Sequence, residues 1–438
     1  MNLHNIHTVS RYEAKLLRRS WLFRIFAILS LLVITFFHLT TQANLFWYQW
    51  NMVAMSSSIP FVNIYIFNIA QSVIAIFLAG SFLKRDQKLD TAEVVYVRPM
   101  SNADYVIGKS WGIIKVFISL NILALLVAAF INLYVSESPF NLLPYVFYLL
   151  TLSIPSLVFI LGLSFMVMCF VKNQAVTFVI LLGYIGVTLF YLGNIEHGAF
   201  DFFALTLPNI FSDISGHPVL SDYLLQRSSF LLLGISLLSF TIALVKRLPH
   251  HPKKRILLNT LGIIILLLGI GANLSYLWQF RHNDTLRSRY IEKYQAYNSH
   301  DKVNLLSEEL IYSQKGNQIF VDAHLTVQNR NHRKINSVLI YLNPTLQVTE
   351  VSREGTKLPF KRDEQILVID KELTPYQIVD LQIRYEGKVS ENIGYLEVQD
   401  EEYYDTQTGS SILRFGKRYA FVQNDFTLLT PEVLWYPV

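Results

Sequence analysis

The sequence predicts an α-helical polytopic membrane protein carrying a C-terminal antiparallel β domain. Three observations predict it. Hydrophobic residues make up 52% of the 438 and charged residues only 16%, with a mean hydropathy of +0.34, too apolar for a soluble chain of this size. Seven apolar runs reach the roughly 20 residues that cross a bilayer as a helix. After the last run the pattern changes to short segments alternating apolar and polar, separated by turn residues.

The runs lie near 21–40, 60–83, 111–135, 144–171, 174–195, 228–245 and 256–278. Basic residues stay on the cytoplasmic side of such runs. Arg11, Lys15, Arg18 and Arg19 precede the first; Lys84, Arg85, Lys88, Arg98 and Lys109 lie between the second and third. Lys172 follows the fourth, and "KRLPHHPKKR" (246–255) joins the sixth to the seventh. The alternate loops 41–59, 136–143 and 196–226 hold neither Lys nor Arg. This asymmetry predicts a multi-pass membrane protein with its N-terminus inside and everything after residue 278 outside. It also accounts for the net charge of +5, so no nucleic-acid partner is expected.

Residues 1–20 read as an amphipathic lead helix. Val9, Tyr12 and Leu16 fall on one stripe, and Arg11, Lys15 and Arg18 on its neighbour. Such a helix lies in the membrane interface with its cations near anionic membrane lipid; a solvated basic stem is the alternative. "TTQA" at 40–43 offers a small residue for signal cleavage. The long lead and full-length apolar run instead favour a retained span.

Within the runs the polar groups are few. Asn63, Asn68 and Gln71 sit in the second and Asn121 in the third. Amides in hydrocarbon hydrogen-bond to other helices, contributing about 1 kcal/mol each; a substrate path would use similar residues. No Asp or Glu falls deep within a run, which disfavours a proton relay or ion-coupled carrier. Cys169, the single cysteine, lies in an apolar run and reads as core. His38, His197, His217 and the adjacent pair His250-His251 lack metal-ligand spacing, so no metal or other cofactor is expected. The loop 196–226, rich in Phe and Leu and broken by Pro208, Gly216 and Pro218, suits a re-entrant or interfacial cap.

The stretch "RPMSNADYVIGKSWG" (98–112) contains Gly-Lys-Ser, the tail of a phosphate-binding loop. The first glycine of that loop would stand at 103, which is Ala103, and an apolar run follows in place of a soluble helix. The chain therefore is not expected to bind ATP or to be an enzyme. Pro99 breaks the chain, and Ser101 with Asp104 three residues on forms a capping pattern for a helix entering the third span.

The six-span core with its lead helix, roughly residues 10–250, resembles the permease subunits of type-2 ABC transporters. The residues behind the likeness are Asp90, Glu93, Arg98, Pro99, Ser101, Gly108 and Lys109 in the loop after the second span. The resemblance implies that this loop docks on a separate ABC ATPase subunit and that permease subunits pair as a homo- or heterodimer. It implies that Gly108 permits close packing and that Lys109 marks the inner interface. On this reading 21–247 is the permease domain, 248–278 adds a seventh span and 279–304 forms a helical stem.

Residues 305–438 form the β domain. "QIFVDAHLTVQNR", "NSVLIYL", "QVTEV", "QILVID" and "IVDLQIRYEG" alternate, with turns at Asn343-Pro344 and Glu354-Gly355. Through "VLIYLNPTLQVTEVSREGTKLPF", "LQIRYEG" and "LLTPEVLWYPV" this part is similar to the β domain that precedes the catalytic domain of M1 aminopeptidases. The zinc signature His-Glu-x-x-His does not occur in the chain, so peptidase activity does not carry over. Either the chain stops where an M1-like peptidase domain would begin, or the β domain binds a peptide or envelope protein alone. Two functions follow: a permease subunit coupling ATP hydrolysis on a separate subunit to substrate export, or a membrane anchor presenting an outer binding module.

Overall fold

A computed structural model describes residues 2–42, 54–80, 100–245, 252–404 and 413–438. By its internal contacts the chain divides into two units, residues 1–278 with 406–416 and residues 279–405 with 417–438.

The first unit is helical. Helix α1 (Leu3–Arg19) precedes α2 (Trp21–Gln42), α3 (Ser58–Gly80) and α4 (Asn102–Tyr134). Then come α5 (Leu142–Tyr148), a π-turn (Leu149–Ser153), α6 (Ile154–Val171), α7 (Gln174–Phe190), α8 (Leu220–Leu244) and α9 (Pro252–Tyr297). Among the described residues, seven helical segments are long and apolar enough to cross a membrane, α5 to α6 counting as one. The protein is a multi-pass membrane protein.

Three helices outrun the apolar stretches that foretold them. Helix α4 begins at Asn102, α8 at Leu220, and α9 runs on to Tyr297. Apolar runs mark the length that lipid can cover, whereas backbone hydrogen bonding continues wherever polar side chains find protein partners. At α4 the reason is the cap. The Asp104 amide donates to Ser101 Oγ at 3.1 Å and the Ser101 amide to Asp104 Oδ2 at 3.2 Å.

Small residues set the helix crossings. A Cβ on Gly162 (α6) would stand 2.5 Å from the Gly234 carbonyl oxygen, and one on Gly234 (α8) 2.7 Å from Phe159 Cα. Close backbone approach of this kind drives packing where lipid is as apolar as the side chains. Helix α9 is held to α8 by three serines: Ser229 Oγ donates to the Gly269 carbonyl, Ser236 Oγ to Gly262 and Ser239 Oγ to Leu258, at 2.9, 2.9 and 3.1 Å.

The loop after α7, expected as a re-entrant or interfacial cap, packs into the helical core. Phe202 and Phe203 are fully buried in the same apolar cluster as α3, α4 and α6. Phe202 stacks on Tyr184 at 5.6 Å and lies 5.4 Å from Phe159. Cys169, partly buried, packs against that cluster.

The second unit is built on antiparallel strands. A five-stranded sheet runs β1 (Asn304–Lys315), β2 (Gln318–Gln328), β8 (Ile378–Gly387), β4 (Leu346–Arg353), β5 (Thr356–Lys357). A three-stranded sheet runs β3 (Val338–Tyr341), β7 (Ile366–Ile369), β6 (Phe360–Asp363), and β9 (Ala420–Val422) pairs with β10 (Thr427–Leu429). Alternation does the packing. Ile319, Val321, Ala323, Leu325 and Val327 of β2 are buried with Val379, Leu381, Ile383 and Tyr385 of β8, and share one core with Val338, Ile340, Leu367 and Ile369. From residue 279 on α9 belongs to this unit, within which Arg287 Nη1 donates to the Gly394 carbonyl at 2.8 Å and Nη2 to Tyr395 at 3.1 Å, the guanidinium lying 3.7 Å over the Tyr403 ring.

One half-buried position of this sheet is out of pattern. Glu308 sits on β1 opposite Leu325, and its Oε1 is buried without a hydrogen-bond partner. Burial pushes the carboxyl up to about 7. A carboxyl raised in the fold binds its proton more tightly folded than unfolded, so stability is fullest at low pH. It declines as pH rises from the ordinary carboxyl range through 7. Glu308→Gln is expected to stabilise the β unit by on the order of 1 kcal/mol at pH 8, after allowing for partial solvent screening. At pH 5 it should change little. Calorimetry of the two proteins at both pH values checks this; an equal difference at pH 5 and pH 8 would contradict it.

Candidate functional site

Two groups of residues in the helical unit stand out: a junction at the start of α4 and a polar network between the spans.

At the junction, Gly108 and Gly112 lie one turn apart and face α1. A Cβ on Gly108 would meet Val9 Cβ at 2.7 Å, and one on Gly112 would meet the Ser10 carbonyl oxygen at 2.8 Å. With no side chain at either position, α1 lies directly on the α4 backbone. Its buried stripe is Ile6, Ser10, Glu13 and Leu17. Lys109, only 4% exposed, brings Nζ within 3.8 Å of Glu13 Oε2 and lies 4.9 Å over the Tyr105 ring. The Asn2 amide donates to Asp104 Oδ1 at 2.9 Å. From the same turn Asn102 Nδ2 donates to the Val245 carbonyl at the end of α8, at 2.8 Å. One capped turn thus holds α1, α4 and α8 together.

Of the residues expected to form a coupling loop, Ser101, Gly108 and Lys109 fall in this junction. Gly108 and Lys109 are occupied by the chain's own α1. Asp90, Glu93, Arg98 and Pro99 lie outside the described residues, as do His250 and His251.

The second group gathers three of the four expected intramembrane amides. Asn68 and Gln71, one helical turn apart on α3, share a face. Gln71 Nε2 donates to Asn68 Oδ1 at 2.8 Å and to Ser153 Oγ at 2.9 Å. Asn121 Nδ2 donates to Gln71 Oε1 at 2.9 Å, and Ser153 Oγ to Asn121 Oδ1 at 3.1 Å. Asn68 Nδ2 donates to Ser156 Oγ at 3.0 Å. Asn63 stands apart, donating to the Ala124 carbonyl at 2.9 Å.

The hub of the network is Arg227, which sequence reasoning missed. It is 2% exposed, inside α8. Nε donates to the Thr151 carbonyl at 2.9 Å. Nη1 donates to Phe202 O at 3.0 Å and Gln226 Oε1 at 3.3 Å. Nη2 donates to Ser156 Oγ at 2.9 Å and Leu152 O at 3.4 Å. A guanidinium has five N–H groups, and here five acceptors meet them. The acceptors exist for a local reason. Pro155 has no N–H, so the Thr151 carbonyl four residues earlier loses its helical donor, and the π-turn shifts the register beside it.

Asp201, 2% exposed, supplies an opposing charge to Arg227 across the network. It accepts from the Phe203, Leu205 and Thr206 amides at 2.9, 2.7 and 3.1 Å. Burial holds its carboxyl above the usual range, and those amides and Arg227 pull it back down. Gln226 Nε2 ties the same loop to α8 through the Gly198 and Asp201 carbonyls at 3.0 and 2.8 Å. The signal that could have found this hub was Pro155 within a long apolar run, paired with an arginine at the edge of another.

Elsewhere, His38 is fully buried, and His217 accepts the Val219 amide at 3.2 Å. Among the described residues no three His, Cys, Asp or Glu side chains gather as a metal site.

No family model matches the chain, and no curated protein does. Among solved structures it is similar to a variant of an M1 zinc metallopeptidase from Deinococcus radiodurans, crystallised bound to a Tyr-Ser-Ala substrate. The identity is 16% over 20% of this chain and 21% of that one, with a TM-score of 0.19. The chain thus spans about a fifth of that protein's length.

Proposed function

We propose that the protein is the membrane-spanning permease subunit of an ABC-type transporter in a bacterial inner membrane, coupling ATP hydrolysis on a separate subunit to substrate export. The observation that supports this reading is the junction at Ser101–Gly112. An ATPase that closes on ATP must push on something stiff that continues into the membrane. The loop ending at Met100 leads into a helix capped at its first residue, clamped to α1 by Gly108, Gly112 and the Lys109–Glu13 pair, and tied to α8 by Asn102. A displacement applied there reaches three helices at once. The loop carrying Asp90, Glu93, Arg98 and Pro99 is the proposed docking segment, and the amphipathic α1 lies on the same, cytoplasmic side.

A second reading is favoured by the closed network around Arg227. Its guanidinium donors are all taken up by the protein, as expected of helix glue rather than of a substrate path. On that reading the spans anchor the β domain, which binds a peptide or envelope partner outside.

Purification of the whole protein in mild detergent separates the two. The permease reading predicts a co-purifying ATP-binding subunit, lost or weakened in Glu93→Lys and Arg98→Glu. Capture of extracytoplasmic proteins alone, unchanged in those variants, would overturn it in favour of the anchor.

A further inference from the structure

Helix α1 buries one stripe and leaves the opposite one bare. The buried stripe, Ile6, Ser10, Glu13 and Leu17, is spent on α4. On the far side His4, His7, Arg11, Lys15 and Arg18 recur every three or four residues, all exposed, with Arg19 beside them. Glu13 is the only acid in α1, and it faces Lys109. The exposed face is therefore basic without a counter-charge of its own helix.

Its depth is set by aromatic neighbours. Trp21, 74% exposed, opens the span α2 directly after α1. Arg24 Nε donates back to the Arg18 carbonyl at 3.0 Å, fixing the corner between the two helices. Trp111 is exposed in the same turn of α4 that receives α1, with Lys115 Nζ 5.3 Å over its ring. Tyr12 is exposed on α1 itself. Trp and Tyr at the ends of spans mark the headgroup level, so two separate spans place α1 at that level.

We propose that the Arg11–Lys15–Arg18–Arg19 face of α1 is a binding surface for anionic phospholipid headgroups. The negative phosphodiesters of the adjacent leaflet supply the counter-charge that α1 lacks, and the fixed contact with α4 holds the cations in register. An acidic protein surface could pair with the same cations. The flanking tryptophans favour lipid, because they set the face at headgroup depth.

The test is lipid selection by the full-length protein from mixed micelles of phosphatidylglycerol and phosphatidylcholine, read by native mass spectrometry of retained lipid. The wild type is expected to enrich phosphatidylglycerol, and R11Q/K15Q/R18Q/R19Q to lose roughly tenfold or more of that enrichment. K315Q/R330Q/K357Q/K361Q removes the same charge from exposed positions of the β unit and is expected to keep it. Should the α1 variant fail to fold, the salt dependence of the wild type decides. Enrichment should collapse as ionic strength rises, since exposed charges are screened. Unchanged enrichment in the α1 variant, or salt-independent enrichment in the wild type, overturns the proposal. So does a variant that keeps its lipid yet sheds a bound protein. None of these readouts needs an ATPase, so this proposal and the permease reading fail separately.

Discussion

Replacing Arg227 with leucine is expected to be the most damaging single change in the helical unit, lowering stability by about 3–5 kcal/mol. The cost comes from what remains behind. The Thr151 carbonyl loses its donor, the Leu152 and Phe202 carbonyls are left to share the single Ser156 hydroxyl, and the buried Asp201 loses its opposing charge. Lysine would not rescue fully. Its three donors radiate from one nitrogen and cannot span acceptors that a planar five-donor fork reaches. The check is thermal unfolding and monodispersity in detergent, expected to rank wild type above Arg227→Lys above Arg227→Leu. A leucine variant as stable as the wild type would show that the network is incidental.

Gly234→Val is expected to destabilise by about 3 kcal/mol, at the upper end of overpacking costs. Its side chain would meet backbone, not a movable side chain, at Phe159 and Val158. Helices α6 and α8 would have to part. Gly183 on α7 provides the control, since a Cβ there meets nothing within 4 Å. Gly183→Ala should be neutral or stabilising, as removing a mid-helix glycine relieves up to about 1 kcal/mol. Equal effects at the two positions would mean that the α6–α8 crossing does not depend on close backbone approach.

How much of this was legible follows from what each signal encodes. The seven spans were readable because bilayer thickness imposes a length, and the β domain because alternate burial imposes a period of two. The Ser101–Asp104 cap was readable from spacing alone. Asn68, Gln71 and Asn121 were singled out from the sequence as polar groups within apolar runs. That they meet Ser153 and Ser156 depended on which helix faces touch, which is a property of tertiary packing. Arg227 escaped because the sixth apolar run starts immediately after it, so hydropathy assigned it to a loop edge. Its role becomes visible only once Pro155 and the π-turn expose carbonyls opposite it. The partnership of Lys109 with Glu13 likewise joins residues far apart in the chain, and only the α1–α4 contact reveals it.

The proposed function rests on sidedness, in which the loop before α4 is proposed to face the cytoplasm and the β domain to face out. Single cysteines placed at Lys88 and at Lys357 in a Cys169→Ser background, treated on intact cells with a membrane-impermeant maleimide, test it directly. The account predicts labelling at 357 in intact cells and at 88 only after permeabilisation. Labelling at 88 in intact cells would contradict it.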